Sequence, residues 1–251
     1  MHPYLDHVGP IPFAHRGGAS EAPENTMSAF SDAVSLGYRY LETDVHATSD
    51  GVLVAFHDDD LSRTCGVPGR IKDMTWDDLQ HVRVHGREPI PLLVDILNAF
   101  PNARINIDCK TDSALQPLVD VLGQQQCLER VCVGSFSDRR LRALRAEFGP
   151  ALCTSMGPRQ VAQLLWASKT SQRFAKSLIG VVAQIPVRQS GIHLTTPGLL
   201  QTAQDMNIPV HVWTIDDESQ MHELLDAGVD GIMTDKTRVL RDVFIGRQLW
   251  Y

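Results

Sequence analysis

The sequence predicts an α/β fold of the (β/α)8 TIM-barrel type, and three observations lead to this prediction. Short apolar runs rich in β-branched residues alternate with longer segments of helical period along the chain. Counting these runs gives eight strand units, each followed by a helix. The length of 251 residues is that of one such barrel. We therefore expect a single domain over residues 1–251.

One of the eight strand units is a hairpin, in which 40–46 pairs with 52–57. The other predicted strands are 11–15, 104–109, 131–135, 152–155, 180–184, 210–214 and 231–234. Helices are predicted between the strands because each intervening segment carries an apolar stripe of helical period. The predicted helices are 26–36, 92–100, 114–124, 137–147, 158–167, 197–207, 218–227 and 237–246.

Capping residues support these helix boundaries. Ser137 and Thr196 stand where the first helical N–H groups need a side-chain acceptor, and Pro197 suits the first helical position. Glycines stand where a left-handed residue commonly ends a helix, at Gly37, Gly149 and Gly228.

One stretch interrupts the alternation of strands and helices. Residues 58–91 are rich in Asp, Arg, Gly and Pro and lie between the second strand unit and the next helix. We expect this stretch to be an insertion that forms a small cap over the mouth of the barrel. Its segment 75–82 is predicted to be a short helix.

Charge and composition restrict the partners. The formal net charge of -7 argues against binding to nucleic-acid phosphates and gives no attraction to anionic lipids. A substrate that carries phosphate would therefore need a local cluster of positive charge. No apolar stretch approaches the ~18 residues of a membrane span, so no integral membrane association is expected. The oligomeric state does not follow from the sequence.

The cysteines and the N-terminus indicate the compartment. The five cysteines are an odd set without a CxxC pair, which is typical of reduced thiols rather than of a disulfide framework. The first residues lack a basic segment followed by an apolar run, as a secretory signal would have. The sequence therefore predicts a cytoplasmic location.

Ionisable residues are concentrated at the predicted C-terminal ends of the first strands, where TIM barrels carry their active sites. Glu42 and Asp44 share one face of their strand, because residues i and i+2 point the same way, and Asp108 ends the next barrel strand. Three neighbouring carboxylates repel one another unless cations compensate them, and a hard divalent ion is the usual compensation. We therefore predict one Mg²⁺ or Ca²⁺ ion. The alternative is a salt-bridge network of these carboxylates with Arg16 and Lys110.

Two histidines and two cations complete the predicted site. His15 and His57 have an unperturbed pKa of about 6.5, so one can donate and the other accept a proton near neutral pH. Arg16 and Lys110 supply the positive charge that a phosphate requires. Gly17 either lets the backbone approach a ligand or makes a plain turn, as does Gly18.

The start of the first helix leaves its interpretation open. Asn25 can cap this helix and donate to a phosphate, and the alternative is that Glu24 and Asn25 are structural only.

These residues lie in motifs that together resemble the glycerophosphodiester phosphodiesterase family, which is related to phosphatidylinositol-specific phospholipases. The resemblance covers nearly the whole chain. Its motifs are AHRG at 14–17, APENT at 22–26, ETDV at 42–45, TSDG at 48–51, HDDDLSRT at 57–64, INIDCK at 105–110, VWTID at 212–216 and GVDGIMTD at 228–235.

The resemblance implies a role for each predicted site residue. It implies metal binding by Glu42, Asp44 and Asp108, acid/base catalysis by His15 and His57, and phosphate contact by Arg16 and Lys110. It also implies that Trp213 lines the pocket near the glycerol moiety and that the insertion forms a small cap beside the substrate entrance. In the family the carboxylate two residues before the lysine is usually Glu, whereas this chain has the shorter Asp108.

The function that follows is metal-dependent hydrolysis of glycerophosphodiesters to glycerol 3-phosphate and an alcohol such as choline or ethanolamine. The attacking oxygen belongs either to water or to the neighbouring glycerol hydroxyl, and attack by the hydroxyl gives a cyclic phosphate that water then opens. The hydroxyl is favoured because of its high effective concentration. One alternative is a lysophospholipase D, which needs an apolar groove for an acyl chain, and residues 65–91 are too polar to indicate one. Another alternative is a catalytically silent barrel that binds a phosphorylated metabolite.

Overall fold

The structure is a computed structural model that describes residues 1–170 and 181–250. Its strands are β1 Ile11–Ala14, β2 Tyr40–Ala47, β3 Leu53–Ala55, β4 Arg83–Val84, β5 Glu88–Pro89, β6 Arg104–Cys109, β7 Val131–Gly134, β8 Cys153–Ser155, β9 Val181–Pro186, β10 Arg188–Gln189, β11 Ile192–His193, β12 Val210–Trp213 and β13 Gly231–Thr234. Its helices are α1 Met27–Ser35, α2 Ser62–Cys65, α3 Trp76–Leu79, α4 Leu93–Ala99, α5 Leu115–Gln125, α6 Asp138–Phe148, α7 Pro158–Lys169, α8 Pro197–Asp205, α9 Glu218–Asp226 and α10 Thr237–Gly246.

Eight parallel strands form a closed barrel in the order β1-β2-β6-β7-β8-β9-β12-β13, and the parallel pair β13–β1 closes it. Strand β3 pairs with β2 in the antiparallel direction, as the predicted hairpin requires. The predicted TIM barrel is therefore confirmed, and the predicted strands and helices lie within two residues of their observed bounds, except at the short helix of the insertion. The predicted strand 180–184 begins at residue 180, which lies outside the described residues.

The predicted caps are present where the helices begin and end. Ser137 accepts a hydrogen bond from the Arg140 backbone N–H, and Thr196 accepts one from the Leu199 N–H. The predicted terminating glycines have left-handed φ values of 99° at Gly37, 57° at Gly149 and 84° at Gly228. Local sequence therefore determines these boundaries, because each cap satisfies backbone groups that the helix leaves free.

Apolar side chains pack on both sides of the barrel wall. Residues that point outward, such as Leu41 and Ile105, pack under the helices in the largest cluster. A second cluster joins alternate strand residues, such as Phe13 and Tyr40, to Tyr4 of the N-terminal turn Pro3–Leu5. Tyr40 begins β2, so this turn packs against the barrel at the N-terminal ends of the strands. The opposite end, where the strands finish, is left for the site.

The insertion has a small apolar core of its own, in which Leu61, Ile71 and Leu79 are fully buried. The prediction of one helix over 75–82 was wrong in extent: α3 begins at Trp76, after the N-cap Thr75, which forms a capping box with Asp78, and it ends at Leu79. The chain then turns, because Arg83 and Val84 pair with β5 in a short antiparallel ladder. The division of the chain into a single domain stays a prediction.

The hairpin β10–β11 was not predicted, because strands of two residues carry no measurable period.

None of the five cysteines forms a disulfide, and four of them are buried. Within the described ranges, no helix is both long enough and apolar enough to cross a bilayer.

Candidate active site

A cavity of about 460 Å³ opens at the C-terminal ends of the barrel strands. All of the predicted site residues line it, and these are His15, Arg16, Glu42, Asp44, His57, Asp108, Lys110 and Trp213. The structure therefore brings the whole predicted set together, although the individual roles of these residues stay predictions. None of the lining residues comes from 59–91, so the insertion lies beside the cavity rather than forming its wall.

The carboxylates meet because of strand register. Glu42 and Asp44 stand two residues apart on β2, and Asp44 is the direct neighbour of Asp108 on β6. Both β2 carboxylates are almost completely buried. Burial and repulsion by Asp44 raise the pKa of Glu42.

His15 lies in the turn His15–Gly17 that follows β1. Its Nδ1 donates to Asp235 Oδ1 at 2.7 Å, and its Nε2 lies 3.7 Å from Glu42 Oε2. Burial lowers the pKa of His15, but attraction by Glu42 and the hydrogen bond to Asp235 outweigh burial, so its pKa is raised. Asp235 thus orients the ring and leaves Nε2 to face the cavity.

Arg16 has a left-handed backbone, with φ of 52°, which is uncommon for a residue other than Gly. This conformation directs its backbone N–H to Glu42 Oε2 at 3.1 Å and places its Nε 3.2 Å from Asp44 Oδ2. The next residue, Gly17, also has a positive φ, and a Cβ there would lie 2.7 Å from the Cβ of Ala29. Gly17 therefore allows helix α1 to approach the turn, which supports its structural interpretation.

Lys110 stands between two carboxylates. Its Nζ lies 2.8 Å from Asp44 Oδ1 and 2.9 Å from Asp108 Oδ2. Burial lowers the pKa of Lys110, but the two carboxylates outweigh burial and raise it. Burial likewise raises the pKa of Asp44, whereas Lys110 and Arg16 lower it further, so the Asp44 carboxylate is held ionised.

Asn25 is a structural residue in this site, because Thr26 rather than Asn25 caps helix α1. The buried Asn25 amide donates to Asp44 Oδ2 at 3.0 Å, and its oxygen accepts from the Thr43 hydroxyl at 2.8 Å. The predicted interpretation of Asn25 as a cap was therefore wrong. Its φ of 56° turns the side chain back toward β2, a tertiary contact that no local pattern reveals.

His57 follows β3 and has a carboxylate partner of its own. Its Nδ1 donates to Asp58 Oδ1 at 2.6 Å. Burial raises the pKa of Asp58, but hydrogen bonds from Arg63 and His57 lower it further, so the net shift is downward. His57 and His15 thus share one arrangement, in which Nδ1 binds a carboxylate. The sequence analysis missed the contributions of Asp235 and Arg63. Asp235 follows β13 directly and could have been found at that strand end, whereas Arg63 lies in the insertion and only the motif HDDDLSRT contains it.

The carboxylates fit a hard divalent cation by their chemistry. Asp108 Oδ1 is buried without a hydrogen-bond partner, and Glu42 is forced toward its neutral form by burial and by Asp44. In the described ranges, however, no three His, Cys, Asp or Glu side chains converge closely enough to hold an ion. Lys110 and Arg16 pair with the carboxylates instead, as in the salt-bridge alternative. Metal binding therefore stays a prediction.

The rest of the cavity wall carries no charge. We call the seven ionisable lining residues, that is the predicted set without Trp213, the charged half. The apolar half consists of Phe136, Met156, Val161, Leu165, Ile192 and Leu194. It is built by the loops after β7 and β8, by helix α7 and by the hairpin β10–β11. Phe136 is 60% exposed and packs edge-on against Trp213 at 5.7 Å between ring centroids.

The chain matches the model of the glycerophosphoryl diester phosphodiesterase family over residues 15–239. It is 39% identical over 251 residues to "Probable glycerophosphodiester phosphodiesterase 2" of Mycobacterium tuberculosis (strain ATCC 25618 / H37Rv), covering 98% of this chain and 95% of the relative.

Two solved structures share the fold. A glycerophosphodiester phosphodiesterase from Agrobacterium tumefaciens str. C58 is 22% identical, with a TM-score of 0.75 over 93% of this chain and 99% of its own. An Oleispira antarctica phosphodiesterase in complex with the product sn-glycerol-3-phosphate is 23% identical, with a TM-score of 0.75 over 94% of this chain and 97% of its own. The family match and the identity over the whole chain show that this protein belongs to the glycerophosphoryl diester phosphodiesterase family and is an enzyme of that class.

Proposed function

We propose that the charged half hydrolyses glycerophosphodiesters to glycerol 3-phosphate and an alcohol by general acid/base catalysis with two histidines. The observation that carries the proposal is the paired arrangement of His15 with Asp235 and of His57 with Asp58 around one cavity. The name of the mycobacterial relative and the product held by the Oleispira enzyme support the same substrate class.

Each histidine is suited to proton transfer at its Nε2 atom. A carboxylate accepts from Nδ1–H, which leaves Nε2 free to take or give a proton on the cavity side. One histidine deprotonates the attacking oxygen, and the other protonates the oxygen of the leaving alcohol. The Asp235 and Asp58 carboxylates stabilise the imidazolium forms that arise in these steps.

Arg16 and Lys110 bind the phosphate and stabilise the charge that develops on its oxygens. Both cations already lie against carboxylates, so they are held in place before a substrate arrives. Glu42, Asp44 and Asp108 would hold a Mg²⁺ or Ca²⁺ ion, which would add positive charge against the phosphate. A cytoplasmic location and the absence of nucleic-acid partners stay predictions.

Hydrolysis of glycerophosphocholine and glycerophosphoethanolamine tests the proposal, with release of glycerol 3-phosphate as the readout. We expect release that EDTA abolishes and that added Mg²⁺ or Ca²⁺ restores. His15→Ala should abolish release, whereas the exposed His81→Ala should leave it intact. Folded protein that releases no glycerol 3-phosphate with either metal would contradict the proposal. It would favour the lysophospholipase D alternative first and the catalytically silent barrel second.

A second candidate substrate is a glycerophosphodiester that carries one acyl chain, and the apolar half favours it. Residues 65–91 are polar, but they do not line the cavity, so their polarity does not exclude an acyl groove. An acyl chain attached to a phosphodiester in the charged half could lie along helix α7 and the hairpin β10–β11. Each methylene buried there would contribute about 0.8 kcal/mol, or about fourfold in kcat/KM.

Short-chain lysophosphatidylcholine, compared with glycerophosphocholine, tests this second candidate. We expect a higher kcat/KM for the acylated substrate and a lower ratio of the two values in Ile192→Asn, because Ile192 is 47% exposed in the apolar half. The matched control is Ile245→Asn, since Ile245 is 52% exposed on α10 and does not line the cavity. An equal kcat/KM for both substrates would remove the acylated class and leave the first proposal standing.

A further inference from the structure

One side chain of the insertion, Arg63, contacts Asp58 and Glu24. These carboxylates are the partners of the site residues His57 and Arg16. We propose that Arg63 is a positioning residue for the hydrolysis proposed above, and that it acts through Asp58 and Glu24. This inference rests on the proposed function, because it gives Arg63 a part in the same reaction. Arg63 does not line the cavity, so its effect has to pass through the residues that it holds.

The guanidinium of Arg63 binds two carboxylates at once. Its Nε donates to Asp58 Oδ2 at 2.5 Å. Its Nη1 and Nη2 donate to the two oxygens of Glu24 at 2.8 and 2.6 Å. A planar fork of donors suits this bidentate geometry, which the single ammonium group of a lysine cannot reproduce. Among the residues that the structure describes, Arg63 is the only cation that contacts both carboxylates.

Asp58 needs such an anchor because no barrel strand carries it. Strand β3 ends at Ala55, so His57 and Asp58 lie at the start of the insertion. The backbone there is held through His46, whose Nε2 binds the His57 carbonyl at 3.0 Å. The side chain of Asp58 binds His57 through one oxygen and Arg63 through the other. Arg63 therefore sets the direction from which Asp58 orients the His57 ring.

The other histidine does not depend on the insertion. Its partner Asp235 follows β13 directly, and the Asp235 backbone N–H donates to Asp216 Oδ1 at 2.8 Å. The barrel itself therefore positions the pair of His15 and Asp235. The pair of His57 and Asp58, in contrast, is fixed by Arg63 from the insertion.

Glu24 links Arg63 to Arg16, the residue that is proposed to bind the phosphate. Its Oε1 accepts from Arg16 Nη1 at 3.1 Å as well as from Arg63. Burial raises the pKa of Glu24, but Arg63 and Arg16 outweigh burial and lower it. Glu24 is thus an ionised bridge between the two guanidinium groups. Arg63 in this way restrains Arg16, which lies in the charged half.

The test compares Arg63→Ala with Arg87→Ala in the full chain, using glycerophosphocholine. Arg87 is an exposed arginine of the same insertion that does not line the cavity. We expect Arg63→Ala to lower kcat roughly 10- to 100-fold, because a misplaced proton-transfer group loses alignment. KM should change less than kcat, and Arg87→Ala should match the wild type. Arg63→Lys should recover little of the loss, since lysine lacks the fork.

Chemical rescue separates positioning from a merely structural role. The Arg63 side chain is 50% exposed, so a free guanidinium ion can enter the space that it leaves. Guanidinium chloride at millimolar concentration should restore part of kcat in Arg63→Ala and should leave the wild type unchanged. Circular dichroism of Arg63→Ala, Arg63→Lys and Arg87→Ala would establish that these variants are folded.

Three outcomes would overturn the inference. The first is a kcat of Arg63→Ala within twofold of the wild type, and the second is a loss of activity in the folded variant that guanidinium fails to restore. Both outcomes leave the proposed function standing, because the wild type still cleaves the substrate. The third is a wild type that cleaves nothing, which would overturn the proposed function and this inference with it.

Discussion

The charged half and the apolar half of the cavity differ in how they are held. In the charged half, ion pairs and hydrogen bonds from the turn after β1, from β2 and β6 and from the insertion fix nearly every side chain. In the apolar half, the apolar side chains of Phe136 and Ile192 are 60% and 47% exposed, and no such bonds hold them. The fold thus places the ionisable side chains and an uncharged apolar surface in one cavity.

Among the variants of the two halves, we expect the largest loss of activity from the histidine variants of the charged half. His57→Ala should lower kcat/KM for glycerophosphocholine by roughly 10²- to 10⁴-fold, which is the usual contribution of a positioned acid or base. Steady-state release of glycerol 3-phosphate measures this change, with the exposed His81→Ala as the matched control. A His57→Ala enzyme within tenfold of the wild type would place the chemistry elsewhere.

Metal dependence tests the charged half separately, because the carboxylates predicted to bind a cation all lie in that half. Asp108→Asn should raise the concentration of Mg²⁺ or Ca²⁺ needed for half-maximal activity, roughly tenfold per 1.4 kcal/mol of lost binding. Asp108→Glu should lower it, if the longer side chain reaches the ion better. Metal titration of EDTA-treated protein measures both shifts. Equal metal requirements in all three proteins would remove Asp108 from the ligand set.

The turn after β1 packs closely against helix α1, and glycine substitutions test this packing. Gly17 and Gly51 both have φ of 81°, but a Cβ at Gly51 meets nothing within 4 Å. Gly17→Ala should therefore cost about 1–3 kcal/mol of unfolding free energy beyond Gly51→Ala, because it adds overpacking against Ala29 to the same backbone strain. Urea unfolding measures the difference. Equal losses would show that the turn can shift.

Strand β12 carries a buried histidine, His211, which precedes Trp213 of the cavity wall by two residues. His211 is fully buried without a hydrogen-bond partner, and burial lowers its pKa to about 3. The unfolded chain binds a proton at this residue near the ordinary histidine pKa of 6.5, whereas the folded chain does not until near pH 3. Stability should therefore be lost as pH falls through this window, by up to about 1.4 kcal/mol per pH unit.

The variant His211→Leu should remove this part of the pH dependence of stability. Unfolding free energies at several pH values between 4 and 7 would be compared for the wild type, His211→Leu and the exposed His81→Leu. We expect a shallower slope only for His211→Leu. The same slope in all three proteins would mean that His211 is protonated in the folded state.

Much of the fold could be predicted from the sequence, because local physics determines it. Alternating apolar runs predict the eight strands, and caps such as Thr196 and Gly228 predict where helices begin and end. The charged half could be predicted for a related reason. Strand alternation puts Glu42 and Asp44 on one face, and in a closed parallel barrel every strand ends on the same side.

Contacts between distant segments could not be predicted in this way. Asp235 binds His15 across 220 residues of sequence, and Asn25 supports Asp44 from a different element. The apolar half is assembled from two loops, helix α7 and a hairpin, and none of these has a motif that marks it as cavity wall. Its six residues look like ordinary apolar positions until the barrel closes around them.

The sequence by itself determined the barrel, the strand ends and the types of residue that gather there, because periodicity and caps act over a few residues. Tertiary structure alone decided which carboxylate orients His15, where the insertion lies and which surface faces the charged half. Those contacts depend on how strands and loops remote in sequence meet at the closed rim of the barrel, and no spacing along the chain encodes that meeting.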